Sequence, residues 1–227
     1  VSVMNGTDHY VKKAGIGDYV VISMGEESKT ALEDVLKGND DIKECRIEPV
    51  IWGDKSNLKK ADGTKIEAKN SVVFQALEDS QLKYFDKDNK QITEIQPGHA
   101  YVTGDFMEEN HLKTGDKITV TYDSIFFSVI LDGTAKDALF GSPMMQNRRF
   151  LFNEREMEKL FSNENVRDKY QGQVCYIDLA DGAQESDLAS LISEVPGVMF
   201  SGAYSMIKTT YVINMIVAFT ILILSVC

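Results

Sequence analysis

Residues 173–179, QVCYIDL, are the stretch from which the fold can be read. A short run rich in apolar and β-branched residues fits a buried strand. Asp181-Gly182 marks a turn after it. Over residues 184–194 a helix is predicted, because Leu188, Leu191, Ile192 and Val195 fall at i, i+3, i+4 and i+7. Pro196-Gly197 ends that helix, and residues 198–201 read as a short strand. The other end of the chain has the same pattern. Residues 19–23, YVVIS, are a buried strand closed by Gly25. Ser28 is read as the N-cap of a helix running to Lys37, with Leu32, Val35 and Leu36 inward and Gly38 as its stop. Residues 42–52 follow as a longer strand.

Between these two strand–helix–strand units the texture changes. Residues 57–68 read as a hairpin around Ala61-Asp62-Gly63, and residues 71–76, SVVFQA, as a strand. From about 77 to 152 strands are short and turns frequent. Asp86-Lys87-Asp88-Asn89-Lys90 invites a calcium-loop reading, but Lys90 and Gln91 stand where an oxygen ligand and a glycine are needed. A polar hairpin turn is the better reading. Pro97-Gly98 leads into a strand at 99–103, and Asp105 is placed as the N-cap of a short helix ending near Asn110. Residues 117–122 and 125–131 form a strand pair, and Asp132-Gly133-Thr134 is read as a loop. Phe140, Met144, Met145 and Phe150 lie among Gly and Ser in the next loop. They are either tucked beneath it or displayed as a partner surface. Asn153 is the predicted cap of a helix over 154–161. Strand–helix–strand units thus flank an insert of short strands and turns, a mixed α+β body.

The chain finishes on residues 211–227, YVINMIVAFTILILSVC, which carry no charge. At about 1.5 Å per residue such a run approaches the ~30 Å bilayer core. The expectation is the start of a transmembrane helix, with Tyr211, Val212, Ile213, Met215, Ile216, Val217, Phe219, Ile221, Leu222, Ile223 and Leu224 as its membrane-spanning residues. The alternative is a buried C-terminal core helix, although such a helix usually keeps a polar stripe. Residues 1–15 hold no apolar signal core and no initiator Met, so a fragment of a longer chain is expected.

Charge and chemistry exclude several classes. The net charge is −11, and none of it comes from the last 19 residues, so an acidic body precedes the run. No basic stripe offers phosphate contacts, which excludes a nucleic-acid partner. The three histidines form no HExxH, and the three cysteines form no CxxC, so no metal site is predicted. Cys45 and Cys175 are each read as small buried thiols, with a disulfide between them as the alternative. No GxSxG, SxxK or P-loop is present. No catalytic residue, no cofactor and no enzyme activity are expected. Asn5-Gly6-Thr7 fits a glycosylation sequon, a triplet common by chance.

The phrase Tyr101-Val102-Thr103-Gly104-Asp105-Phe106-Met107, then Leu112-Lys113-Thr114-Gly115-Asp116-Lys117-Ile118-Thr119-Val120, then Phe127-Ser128-Val129-Ile130-Leu131-Asp132-Gly133 resembles the extracytoplasmic domain of ABC transporter permeases of the FtsX/MacB type, the MacB-like periplasmic core. Arg148-Arg149-Phe150-Leu151 and residues 173–201 fit the same pattern. The motifs are turn glycines and strand patterns; the order of elements and the terminal run carry more weight. The resemblance implies a two-lobed fold. A porter-like lobe would come from residues 1–76 and 166–208, a β-rich inserted lobe from 77–165, and the start of a transmembrane helix from 209–227. It implies a membrane helix before Val1, a cytoplasmic ATP-binding subunit or domain, a second permease copy or paralogue, and a peptide, lipid or protein substrate outside the membrane. The domain itself would be non-catalytic. It would couple ATP hydrolysis to export, extraction or signalling, with both chain ends on one face. The rival reading is a membrane-tethered extracellular binding or adhesion module without a transport role.

Overall fold

The structure is a computed structural model and describes residues 13–54, 56–67, 71–103, 106–140, 145, 147–206 and 209. Two strand–helix–strand units come from the chain ends. The first is β1 (Tyr19–Met24), α1 (Glu26–Leu36) and β2 (Ile42–Trp52). Between it and the second lie β3 (Asn57–Lys60), β4 (Val72–Ala76), β5 (Tyr84–Asp86), β6 (Gln91–Ile92), β7 (His99–Thr103), α2 (Phe106–Glu109), β8 (Lys117–Tyr122), β9 (Ile125–Lys136), β10 (Arg148–Phe152), α3 (Glu154–Phe161) and α4 (Glu164–Tyr170). The second unit is β11 (Gln171–Leu179), α5 (Glu185–Ile192) and β12 (Val198–Ala203).

The two end units interleave in the order β12-β1-β11-β2, with antiparallel neighbours. That is the split βαβ arrangement of ferredoxin-like folds, interrupted between its second and third strands. Helices α1 and α5 cover one face. Leu32, Leu36, Leu188, Ile192 and Val195 pack there on Tyr19, Val21, Cys175 and Ile177. The sheet continues into the insert through Ile51 opposite Phe74 and Trp52 opposite Val73. Beyond β4 it runs β10-β7-β9-β5-β6, with β10 parallel to β4 and β7 parallel to β9. β8 and β3 extend from β9. The fold is therefore mixed α+β, its end units and insert joined by one mixed sheet.

An apolar core inside the insert gathers Phe74, Phe106, Val120, Phe127, Phe150, Phe152, Leu160 and Val166. A second core fills the seam between insert and end units. It joins Ala14, Ile16, Val20, Trp52, Tyr176 and Tyr204 to Leu82, Tyr84, Ile92, Leu139 and Phe140.

Several local expectations change. Helix α1 begins at Glu26 after Gly25, and Ser28 is buried in its first turn instead of capping it. Leu191 is 43% exposed, because α5 sits on the sheet through the narrow Leu188/Ile192 stripe. Asp132-Gly133-Thr134 lies inside β9, at a β-bulge where its register against β7 shifts. Helix α4, capped by Asn163, was not foreseen. The Asp86–Lys90 turn is the expected polar hairpin: Asp86 Oδ1 accepts from the amides of Asp88 and Lys90. Asn153 caps α3 as expected, accepting from the Arg155 amide. The predicted membrane-spanning residues, Asp105, the glycosylation triplet and Met144 lie outside the described residues. Among the described residues no helix is long and apolar enough to cross a membrane.

Candidate functional site

The chain enters and leaves the end-unit sheet at one pole. β1 begins where β12 finishes, with Tyr19 opposite Ala203. One residue further out, the Tyr204 amide donates to the Asp18 carbonyl at 2.7 Å. The Asp18 amide in turn donates to Ile177 O at 2.9 Å. Tyr204 is buried with Ala14 and Ile16 in the seam core. Gly17 makes this crowding possible. Its φ is +83°, and a Cβ there would stand 2.8 Å from both Ile177 O and Asp178 Oδ1.

A polar network runs inward from this pole, within the seam. Arg46, on β2, donates from Nη2 to the Gly15 carbonyl at 2.8 Å and lies 3.7 Å from Asp178 Oδ2. Its guanidinium stands 6.0 Å from the Tyr176 ring centre. Two residues along the same strand, Glu48 is buried. It accepts from Gln75 Nε2 at 2.8 Å, Ser80 Oγ at 2.7 Å and the Gln81 amide at 2.8 Å. Three donors on one carboxylate make its burial tolerable.

Arg149 is the hub. It sits in the strand β10 with its side chain fully buried. Its Nε lies 2.7 Å from Asp137 Oδ2, and both side chains are essentially inaccessible to solvent. That contact is a charge pair rather than an aligned hydrogen bond. Nη1 donates to Gln75 Oε1 and to Tyr84 Oη, and Nη2 to Tyr176 Oη at 3.4 Å. Phe140 closes the far side, its ring centre 4.5 Å from the guanidinium. Burial by itself would lower the Arg149 pKa. The Asp137 carboxylate, with the Tyr84 and Tyr176 phenols, outweighs that and raises it well above the ordinary range. Burial also drives both phenols far above the usual tyrosine value, against the pull of Arg149, so they remain neutral donors and acceptors.

The loop residues considered as a partner surface belong to this seam or to the core of the insert. Phe140 and Phe150 are fully buried, and Met145 packs against the seam core. For Phe140 and Phe150 burial overturns the partner-surface reading and favours the tucked one; Met145 is only partly buried. Cys45 and Cys175 are both free thiols, Cys175 buried and Cys45 exposed. They lie diagonally across the β2–β11 pair, where Cys45 faces Ile177 and Cys175 faces Ile47. Diagonal neighbours stand roughly 7 Å apart, too far for a bridge.

Other groupings are modest. His99 Nδ1 meets Asp132 Oδ1 at 2.7 Å and pins the β9 bulge to β7. A cleft of about 250 Å³ is lined by Asp54, Ser56, Lys65, Glu67 and Ser71 among others. Among the described residues no group of three or more His, Cys, Asp or Glu side chains could hold a metal ion.

Arg149 is the residue that sequence reasoning missed. The signal available was the apolar run Phe150-Leu151-Phe152 directly after it, a strand core whose first members are charged.

No protein-family model matches the chain. No curated protein matches it either. Among solved structures, one similar chain is a protein provisionally named as a lipoprotein from Bacillus anthracis. The likeness has a TM-score of 0.47 and 9% identity, and covers 82% of this chain and 96% of that one. Another is a domain of a provisionally named permease from Porphyromonas gingivalis, with a TM-score of 0.41, 9% identity and coverage of 78% and 81%. At this identity and these scores, neither likeness speaks to the role of the present chain.

Proposed function

We propose that the chain is the extracytoplasmic domain of an ABC transporter permease of the FtsX/MacB type. In this reading it is non-catalytic and passes motion from membrane helices to a substrate or partner outside. The observation that supports it most directly is the meeting of Asp18 and Tyr204. A domain spliced between two membrane helices needs its chain ends together, because both must enter one bilayer. The apolar run at 211–227 follows Tyr204 within a few residues. A ferredoxin-like lobe built from both chain ends, with a β-rich insert, is also the architecture that the sequence resemblance implies. The working partners would be a cytoplasmic ATP-binding subunit or domain and a second permease copy or paralogue. The substrate would be a peptide, lipid or protein. The body would lie on the outer side of the cell membrane.

The test uses the full-length protein in its native membrane. Replacing residues 13–206 by a short flexible linker should leave basal ATP hydrolysis of the assembly in place and abolish export or signalling. Purification of the full-length protein without any ATP-binding subunit or domain would overturn the reading and favour a tethered binding module.

A further inference from the structure

An ion pair closed off from solvent needs a physical reason. Taking two charges out of water costs about as much as their attraction returns, and an apolar replacement often serves stability equally well. Arg149 and Asp137 are such a pair. What distinguishes them is which parts of the chain their contacts join.

Asp137 begins the connection that follows β9. Its Oδ1 accepts from the amides of Leu139 at 2.9 Å and Phe140 at 3.0 Å, so it shapes that connection. Ser80 belongs to the connection that follows β4 and Tyr84 begins β5, and their hydroxyls are 3.3 Å apart. The Lys83 amide in that connection donates to Ala14 O at 3.0 Å. Gln75 and Arg149 come from the paired strands β4 and β10. Tyr176 and Glu48 come from β11 and β2 of the end units. Through Tyr176 the contacts continue to Arg46 and the Gly15 carbonyl, beside the pole where β1 begins and β12 ends. By contrast, the backbone pairing of β2 to β4 that also joins insert to end units is only two residues long.

We propose that Arg149 and Asp137 form a latch that makes the insert and the chain-end pole one mechanical body. A displacement at Asp18 and Tyr204 then reaches the insert instead of being absorbed at a hinge along the short β2–β4 junction. This rests on the transmitting role proposed above, but the latch is a property of the chain and can be tested without transport.

The test is unfolding of the 227-residue chain by urea, followed by Trp52 fluorescence and by residue-resolved amide exchange. Trp52 is the single tryptophan and lies in the seam, 6.0 Å from the Phe140 ring. In the unaltered chain both probes should report one transition. In Asp137→Asn and Arg149→Met, protection of the β8 and β9 amides should fall about 100-fold more than that of β1 and β11. Arg149→Lys keeps the charge but not the fork, and should fall between them and the unaltered chain. The double variant Arg149→Met with Asp137→Leu separates a latch from a mere filler. A latch predicts that the β8/β9 and β1/β11 amides still exchange at different levels even where the midpoint recovers. If all variants lose protection evenly, with one coincident transition, the latch is wrong. Should Arg149→Met not fold, Asp137→Asn and Arg149→Lys carry the same comparison. A latch upheld here, alongside intact export in the full-length Asp137→Asn protein, would count against the transmitting role and not against the latch.

Discussion

The Tyr204 amide and the Asp18 carbonyl, 2.7 Å apart, close the sheet at the pole where β1 begins and β12 ends. The bond continues the β1–β12 ladder one step beyond Tyr19 and Ala203. Any force arriving along residues beyond 204 therefore meets β1 and β12 together. The Tyr204 side chain supports the same point from within, beside Ala14 and Ile16 in the seam core. Tyr204→Ala should cost about 3 kcal/mol of stability, read as a lowered urea midpoint. Tyr204→Phe should keep most of it. A Tyr204→Ala chain with an unchanged midpoint would mean that the seam does not extend to the pole.

Gly17 tests the same joint through the backbone. At φ +83° a side chain is strained, and its Cβ would press on Ile177 O and Asp178 Oδ1 at 2.8 Å. Gly17→Ala should destabilise the chain by roughly 1–3 kcal/mol. Gly38 has φ +72° with open space around it, so Gly38→Ala should show the strain cost without the clash and be milder. Equal effects at the two positions would show that crowding at the joint is unimportant.

The end units were legible in sequence because their signals are local. Residues 19–52 and 173–203 each carry strand, helix and turn signals within a single unit, and neighbouring elements pack on one another. The insert was legible as short strands but not as a sheet. β4 and β10 lie far apart in the chain and pair in parallel, and nothing in either segment names the other. Arg149 was hidden for a related reason. A charge in a strand core is unexpected until its partners are known, and they come from three separate strands and a loop. Phe140 could be read only as tucked or displayed, because the surface that covers it is built from distant residues.

The two described thiols should differ in reactivity. Burial, then the Glu44 carboxylate, raises the Cys45 pKa, but the residue is exposed. Desolvation pushes Cys175 much further up, inside the helix-covered core. In native chain, iodoacetamide should label Cys45 slowly at neutral pH and faster as pH rises, since thiolate is the nucleophile. Cys175 should stay protected until the chain unfolds. Peptide mass mapping after timed labelling reads both sites. Labelling of Cys175 at the Cys45 rate would show that β11 opens locally.

Asp79 gives a pH test with a defined sign. It lies in the turn after β4, and burial, then the nearby Glu154 carboxylate, raises its pKa. A carboxyl whose folded pKa exceeds its unfolded value binds its proton more tightly in the folded state. Its favourable contribution is complete below the unfolded value of about 3.9 and is lost as pH rises through the folded value. Asp79→Asn, which cannot ionise, should therefore be more stable than the unaltered chain at pH 7 and equal to it near pH 3. One side of Asp79 is open to water, and screening should hold the gain below about 0.5 kcal/mol. Paired urea midpoints at the two pH values measure it. A variant that is less stable at pH 7 would show that the ionised carboxylate serves the N-terminus of α3, where a negative charge is favourable, more than its burial costs.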